Sequence, residues 1–236
     1  MRRLVLLDMD GTVLMGRSLR TLARAFGLEE ELAAIDRAKG ELGLIEREVA
    51  RRIAALFACR SLRDLYGPFD AIPLTPGAAW WIRGVRARGW PVGLVSDSWH
   101  PLVARLGRRL GVDAVWANQL PTSGGHITGQ LLPPPCPAEL PPGCRQHAAC
   151  KLHALETLAA EFSVPPEHVL AVGDGAVDVC MLRRAGLGVA LNPKAEEVAA
   201  AADLVVHGDF YDLAEAVGVS GKEEPHVQGS RPGVLP

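Results

Sequence analysis

The sequence predicts an α/β protein: a doubly wound parallel sheet with a small helical segment inserted near its start. Three observations predict it. A run of branched apolar residues, Leu4-Val5-Leu6-Leu7, stops abruptly at Asp8-Met9-Asp10-Gly11, as a fully buried strand does where it reaches a ligand-binding sheet edge. A second run, Val169-Leu170-Ala171-Val172, stops in the same way at Gly173-Asp174-Gly175. From 73 to 217 helical and strand patterns alternate, which implies parallel strands with right-handed crossovers, whereas 16–72 reads as helix alone.

Length and composition allow this architecture. A chain of 236 residues, 48% hydrophobic, holds one α/β core with a small second unit. The net charge of −2 gives no electrostatic reason to expect nucleic acid or a membrane surface as partner. No apolar run reaches the roughly 18 residues of a membrane span, and Asp8 and Asp10 interrupt the only apolar stretch near the N-terminus. A cytoplasmic protein, monomeric or homodimeric, is the expectation. The five cysteines are an odd number, which argues against a secreted disulfide framework.

The elements follow in order. After the first strand, Ser18 can cap a helix whose apolar positions Leu19, Leu22, Ala23 and Phe26 recur at helical spacing until Gly27. A second helix is predicted over 29–39 with Gly40 as its stop. A third carries Ile45, Val49, Ile53, Leu56 and Phe57 on one face, opposed by Arg47, Arg51 and Arg52. Residues 73–77 return the chain to the core, and Thr75-Pro76-Gly77 opens a helix to about Arg88. A strand over 92–95, a helix over 100–110 and a short strand over 114–116 come next, then a hairpin about Gly124-Gly125. Helix, strand, helix, strand and helix fill 151–217. Domain boundaries follow: 1–15 and 73–219 for the core, 16–72 for the inserted helices, and 220–236 for a polar, Pro/Gly-rich tail expected to be disordered.

Chemistry concentrates at the strand ends. Residues i and i+2 of an extended chain share a face, so the charges of Asp8 and Asp10 repel unless a cation or a proton lies between them. Hard carboxylate oxygens of this kind suit Mg²⁺, which takes one or two carboxylates together with waters and substrate phosphate. The plain alternative is a strand ending in an Asx-turn.

Four stretches, in this order, resemble the motifs of the haloacid dehalogenase-type phosphohydrolases. Asp8-Met9-Asp10-Gly11-Thr12-Val13 resembles the first, Val92-Gly93-Leu94-Val95-Ser96 the second, Lys151 the third, and 169–178, ending in Asp174-Gly175-Ala176-Val177-Asp178, the fourth. The resemblance runs from about Arg2 to about Asp212 and is strongest to phosphoserine phosphatases. It implies a Rossmann-like core with 16–72 as a helical cap, and a Mg²⁺-dependent phosphatase acting on a small phosphorylated metabolite. Asp8 is then the nucleophile that forms an aspartyl-phosphate, and Asp10 the general acid that protonates the leaving alkoxide. Asp8, Asp174 and the main-chain carbonyl of Asp10 would hold the metal, with Asp178 supporting its water shell or Lys151. Ser96 would donate its hydroxyl to a phosphoryl oxygen and Lys151 would neutralise the phosphate and fix Asp8. Lys194, the competing lysine, falls after the fourth motif and reads as a solvated helix start.

The chain departs from the pattern in three places. Asp97 stands where the family often has glycine, adding a side chain where phosphate approaches. Phosphoserine phosphatases hold the substrate amine with a glutamate early in the cap, and counting from Asp8 puts Arg17 there; Arg51 or Arg52 takes the place of their later cap arginine. An arginine invites a second anion, not an ammonium group. The loop 131–150 carries six prolines and Cys136, Cys144, His147 and Cys150. Such a loop resembles methionine-salvage keto-sugar phosphate phosphatases. The four residues can bind Zn²⁺ or be free surface thiols, and the spacing lacks a Cys-x-x-Cys knuckle. Phosphoserine hydrolysis, keto-sugar phosphate hydrolysis and phosphoryl transfer to an acceptor alcohol are therefore the rival readings.

Overall fold

The computed structural model describes residues 3–136, 139 and 144–220; the tail expected over 220–236 lies, apart from Ser220, outside the described residues. β1 (Leu4–Leu7) is followed by four helices, α1 (Ser18–Ala25), α2 (Glu29–Leu42), α3 (Glu46–Leu56) and α4 (Tyr66–Asp70). The chain then runs α5 (Ala78–Ala87), β2 (Val92–Trp99), α6 (His100–Leu110), β3 (Ala114–Asn118), and a small hairpin of β4 (Thr122–Ser123) and β5 (His126–Ile127). It closes with α7 (Lys151–Glu161), β6 (Val169–Gly173), α8 (Val179–Arg184), β7 (Leu187–Leu191), α9 (Glu196–Ala199), β8 (Leu204–Val206) and α10 (Phe210–Ala216).

Six strands form one parallel sheet in the order β3-β2-β1-β6-β7-β8. The winding reverses between β1 and β6, and a crevice opens at the carboxyl ends of strands at such a switch point. β1 is buried along its whole length, as a strand with sheet on both sides and helices on both faces must be. Asp8 and Asp174 thus emerge side by side, since Leu7 pairs with Val172 across β1 and β6.

The inserted helices are fastened to this edge. Phe57, at the end of α3, packs edge-on against Trp99 at the end of β2, with ring centroids 5.0 Å apart. Arg105 of α6 grips Asp70 of α4 with Nε at 2.8 Å and Nη2 at 2.5 Å. The hairpin turns on Gly124 and Gly125, both at positive φ as a two-residue primed turn demands. Its outer strand meets the chain after α3: the Cys59 amide donates to the Ile127 carbonyl at 2.8 Å, and the Ile127 amide to Arg60 at 2.9 Å.

Four sequence expectations need correction. α2 runs through Gly40 to Leu42 and stops at Gly43, whose φ of 62° makes the left-handed cap that Gly40 was expected to make. An exposed helical glycine costs only about 1 kcal/mol, which tertiary packing overrides. β2 extends to Trp99 instead of ending at Val95, with a register shift between those residues. The C-terminal part holds one more strand and one more helix than expected, because β8 has three residues and α9 four. Ser18 makes no side-chain cap on α1; its hydroxyl is turned to Asp10.

The core gives one stability prediction. Trp81 of α5 is fully buried, and its Nε1–H donates to the Val219 carbonyl at 2.7 Å. Trp81→Ala should lower the unfolding free energy by roughly 3–5 kcal/mol, and Trp81→Phe by less. A urea midpoint unchanged by Trp81→Ala would contradict this.

Candidate active site

Asp8, at the end of β1, is almost wholly buried, and one of its oxygens, Oδ1, accepts from the Lys151 ammonium at 2.5 Å. Oδ2 has no hydrogen-bond partner among the described residues. Burial pushes its pKa up to about 6 although Lys151 pulls the other way. Lys151 is itself 2% exposed and also donates to Asp178 Oδ1 at 2.5 Å. Burial alone would strip its proton, but the Asp178 and Asp8 carboxylates outweigh that and raise its pKa. The other oxygen of Asp178 accepts from the amides of Asp174 at 3.1 Å and Gly175 at 3.0 Å. Asp178 therefore braces Lys151 and the loop after β6, and both of its oxygens are spoken for. Neither Asp178 nor Lys151 lines the cavity above Asp8.

Asp10 has a separate environment. Its Oδ1 accepts from the Ser18 amide at 3.0 Å and its Oδ2 from the Ser18 hydroxyl at 2.7 Å, so the carboxyl group sits on the first turn of α1. The Ser18 hydroxyl in turn meets the Ser98 hydroxyl at 2.9 Å. With Ser18 donating to Asp10, Ser98 is the donor of that second bond. Burial pushes the Asp10 pKa up to about 7 against these bonds. The two carboxyl groups of the Asp-x-Asp pair are thus divided, one on a lysine and one on a hydroxyl relay.

Asp174, at the end of β6, is 3% exposed and its pKa is raised by burial and by the charge of Asp8. The Lys194 ammonium lies against its Oδ2. Lys194 is therefore no solvated helix start: its own amide also donates to the Asp174 carbonyl at 2.9 Å. Gly11 makes this approach possible, since a Cβ there would fall 2.1 Å from Asp174 Oδ2 and its φ is 91°. Oxygens of Asp8, Asp174 and Asp178 all lie within 4.8 Å of one another. Asp178 is taken up by Lys151 and the loop amides, but Asp8 Oδ2, without a hydrogen bond among the described residues, and Asp174 Oδ2, which faces only the Lys194 ammonium, are hard carboxylate oxygens that fit a small divalent cation.

Ser96 is 1% exposed and lines the cavity, its hydroxyl accepting from the Ser98 amide at 3.1 Å. Asp97 also lines it, but its Oδ1 accepts from the Ala149 amide at 2.7 Å and from Asn118 at 3.2 Å. That bracket ties the end of β2 to the chain just before α7, and burial pushes the Asp97 pKa up to about 6.

The cavity, about 370 Å³, lies between the sheet edge and the inserted helices. Arg17 lines it; Arg51 does not, and faces Glu48 on its own helix at 4.0 Å. The substrate-binding expectation for Arg51 is corrected: it is an exposed residue outside the cavity wall. Arg145 and His147 line the cavity instead. Burial lowers the pKa of His147 to about 4, against the opposing pull of Glu46. Cys150 has Cys136 and Cys144 as neighbours, and Cys180 from α8 lies beside Cys144 and Cys150. All five thiols are free, and among the described residues no cysteine belongs to a group spaced to hold a metal.

The sequence reading misses Ser98 and Arg145, and it gives Ser18 and Lys194 other roles, a helix cap and a solvated helix start. Ser18 carries a signal, as a helix-start serine soon after the Asp-x-Asp pair.

A six-stranded doubly wound sheet with aspartates at its switch point and helices inserted after the first strand defines a phosphohydrolase class. The chain belongs to the haloacid dehalogenase-like hydrolases, whose profile matches residues 5–183. It is 33% identical over 223 residues to the phosphoserine phosphatase of Idiomarina loihiensis, covering 94% of each chain. With the phosphoserine phosphatase of Lactococcus lactis it shares 32% over 193 residues, or 81% of this chain and 84% of that one. A substrate-bound phosphoserine phosphatase complex superposes with a TM-score of 0.75 at 27% identity, over 92% of this chain and 98% of that one. The chain is a phosphatase of this family.

Proposed function

We infer that the chain hydrolyses a phosphate monoester of a small metabolite with Mg²⁺, carrying the phosphoryl group transiently on Asp8, and that 16–72 acts as a cap over the cavity. The observation that carries this reading is the division of the two carboxyl groups, Asp8 on Lys151 and Asp10 on Ser18. A nucleophile must be ionised while a general acid must hold a proton, and two environments supply the two states. Asp8, Asp174 and the Asp10 carbonyl would hold Mg²⁺, which when bound supplies positive charge against the phosphoryl oxygens.

The chain's own residues then divide the work. Lys151 fixes Asp8 and favours its ionised form, leaving Oδ2 to attack phosphorus. As the Asp8–phosphorus bond forms, the ester oxygen leaves and takes its proton from Asp10, whose raised pKa lets it hold one near neutrality. Water then attacks the phosphorus and gives its proton to Asp10, and the Asp8–phosphorus bond breaks to release inorganic phosphate. Ser96 donates to a phosphoryl oxygen throughout. Asp178 acts through Lys151 and the loop amides.

The test is phosphate release from a panel of phosphorylated metabolites, phosphoserine included, with Mg²⁺ and with or without acceptor alcohols. Release to water supports hydrolysis. Stoichiometric transfer to an alcohol would replace it with the transferase reading, and no cleavage of any ester would overturn both.

Lys194 supplies a further expectation. A metal taken onto Asp174 must displace its ammonium, so Lys194→Ala should bind Mg²⁺ more tightly. For a pair with a half-exposed lysine the gain is roughly twofold to fivefold, read by calorimetric titration. Weaker binding in Lys194→Ala would mean that the lysine supports the metal site.

A further inference from the structure

We propose that the cavity selects phosphate esters that carry a carboxylate and no ammonium group, and that Arg17 is the residue that binds this carboxylate. The proposal rests on the phosphomonoesterase reading and names the substrate class for the same site.

Away from the strand ends, the cavity wall carries more positive than negative charge. Four cations line that wall, Arg17, Arg20, Lys39 and Arg145, against two carboxylates, Asp36 and Glu46. Both carboxylates are already engaged. Arg20 Nη2 lies 3.3 Å from Asp36 Oδ2, and Lys39 Nζ 2.5 Å from Glu46 Oε1. Arg145 is held by Glu197, at 2.7 and 2.8 Å. The guanidinium of Arg17 alone among the four has no partner among the described residues. His147 adds no charge near neutrality, because its burial favours the neutral ring. The one further acid outside the Asp8 cluster, Asp97, stands next to Ser96 at the phosphoryl end and is bracketed by Asn118 and Ala149.

Position reinforces charge. Arg17 immediately precedes Ser18, whose amide and hydroxyl are fixed on Asp10. Its backbone is thus anchored one residue from the catalytic end, and its side chain is exposed towards the space a substrate would fill. A guanidinium recognises a carboxylate through two parallel charge-assisted bonds. An ammonium group entering the same space meets an unpaired cation and no unpaired carboxylate, and that mismatch grows as water is excluded.

Four esters separate the two groups: 3-phosphooxypropanoate has the carboxylate only, O-phosphoserine has both, ethanolamine phosphate has the ammonium only, and ethyl phosphate has neither. The expected order of kcat/KM is 3-phosphooxypropanoate, then phosphoserine, then ethyl phosphate, then ethanolamine phosphate. The ratio of 3-phosphooxypropanoate to ethyl phosphate should be roughly tenfold to a hundredfold. In Arg17→Ala that ratio should collapse to near one, largely through KM, and Arg17→Lys should restore part of it. Arg17→Glu should move ethanolamine phosphate above ethyl phosphate. Arg17 is exposed, so these variants should fold, and equal melting temperatures would verify it.

A parent enzyme that prefers phosphoserine tenfold over 3-phosphooxypropanoate would overturn the proposal, as would a carboxylate preference that survives Arg17→Ala. If phosphoserine preference falls selectively in Asp97→Asn, Asp97 is the ammonium site and Arg17 is not the selector. Turnover of ethyl phosphate without any carboxylate preference defeats this proposal alone. Failure to cleave all four esters defeats the phosphatase mechanism as well.

Discussion

Asp8→Asn should release no phosphate from any ester that the parent hydrolyses, a loss of roughly ten-thousandfold or more. The amide keeps the shape and the bond from Lys151 but has no anionic oxygen to attack phosphorus. The same variant should fold at least as well as the parent. Asp8 has its pKa raised from 3.8 to about 6, with burial the leading cause. A raised pKa means that the proton is held more tightly in the folded state. Its stabilising contribution is complete below about pH 4 and is lost as pH rises through about 6, so at pH 7 the ionised carboxylate weighs against folding. A neutral amide removes that burden. Thermal melts in EDTA at pH 7 should therefore show Asp8→Asn at or above the parent, and at pH 4 the advantage should disappear. Beryllium fluoride should protect the parent from thermal unfolding and leave Asp8→Asn unprotected. Full phosphate release by the variant would sink the covalent mechanism.

Removing the metal should be almost as severe. EDTA should abolish turnover and Mg²⁺ restore it, and Asp174→Ala should raise the Mg²⁺ needed for half-maximal activity by roughly a hundredfold. Mg²⁺ keeps several waters and leans on few protein carboxylates, so no neighbour compensates for one lost. Asp178 cannot stand in, because its oxygens hold Lys151 and the amides of Asp174 and Gly175. Calorimetry on the same variant should show the loss of Mg²⁺ binding independently of catalysis. Undiminished turnover in a sample verified metal-free would refute the metal assignment.

The fold class and the residues at the switch point were legible because each rests on a local pattern. An apolar run that ends at carboxylates and glycine is a buried strand meeting a sheet edge, and two such runs place Asp8, Asp10 and Asp174 before any contact is known. Helical periodicity likewise marks α1 to α3. Legibility fails where a short element leaves too little pattern, as in the three residues of β8. It fails also where a local signal misleads: Gly40 reads as a helix stop, but α2 runs through it to the left-handed Gly43.

By itself, then, the sequence determined an α/β core with inserted helices and a metal-suited group of aspartates at one edge. The motif resemblance already implied Lys151 against Asp8; apart from that pair, tertiary structure decided which side chain answers which. Lys151 meets Asp8 across 143 residues, Ser18 meets Ser98 across 80, and no periodicity spans such distances. The Ser18 hydroxyl turned from a helix cap into the support of Asp10 because the turn after β1 brings α1 down onto that carboxyl group. Lys194 became a counter-ion because the strand beside β6 returns it to Asp174. Arg51 and Arg17 looked alike as cap arginines, and only the packing of the helices left the first outside the cavity and the second facing it. Periodicity is set within a few residues of chain, whereas the pairing of buried charges is set by where separate elements dock.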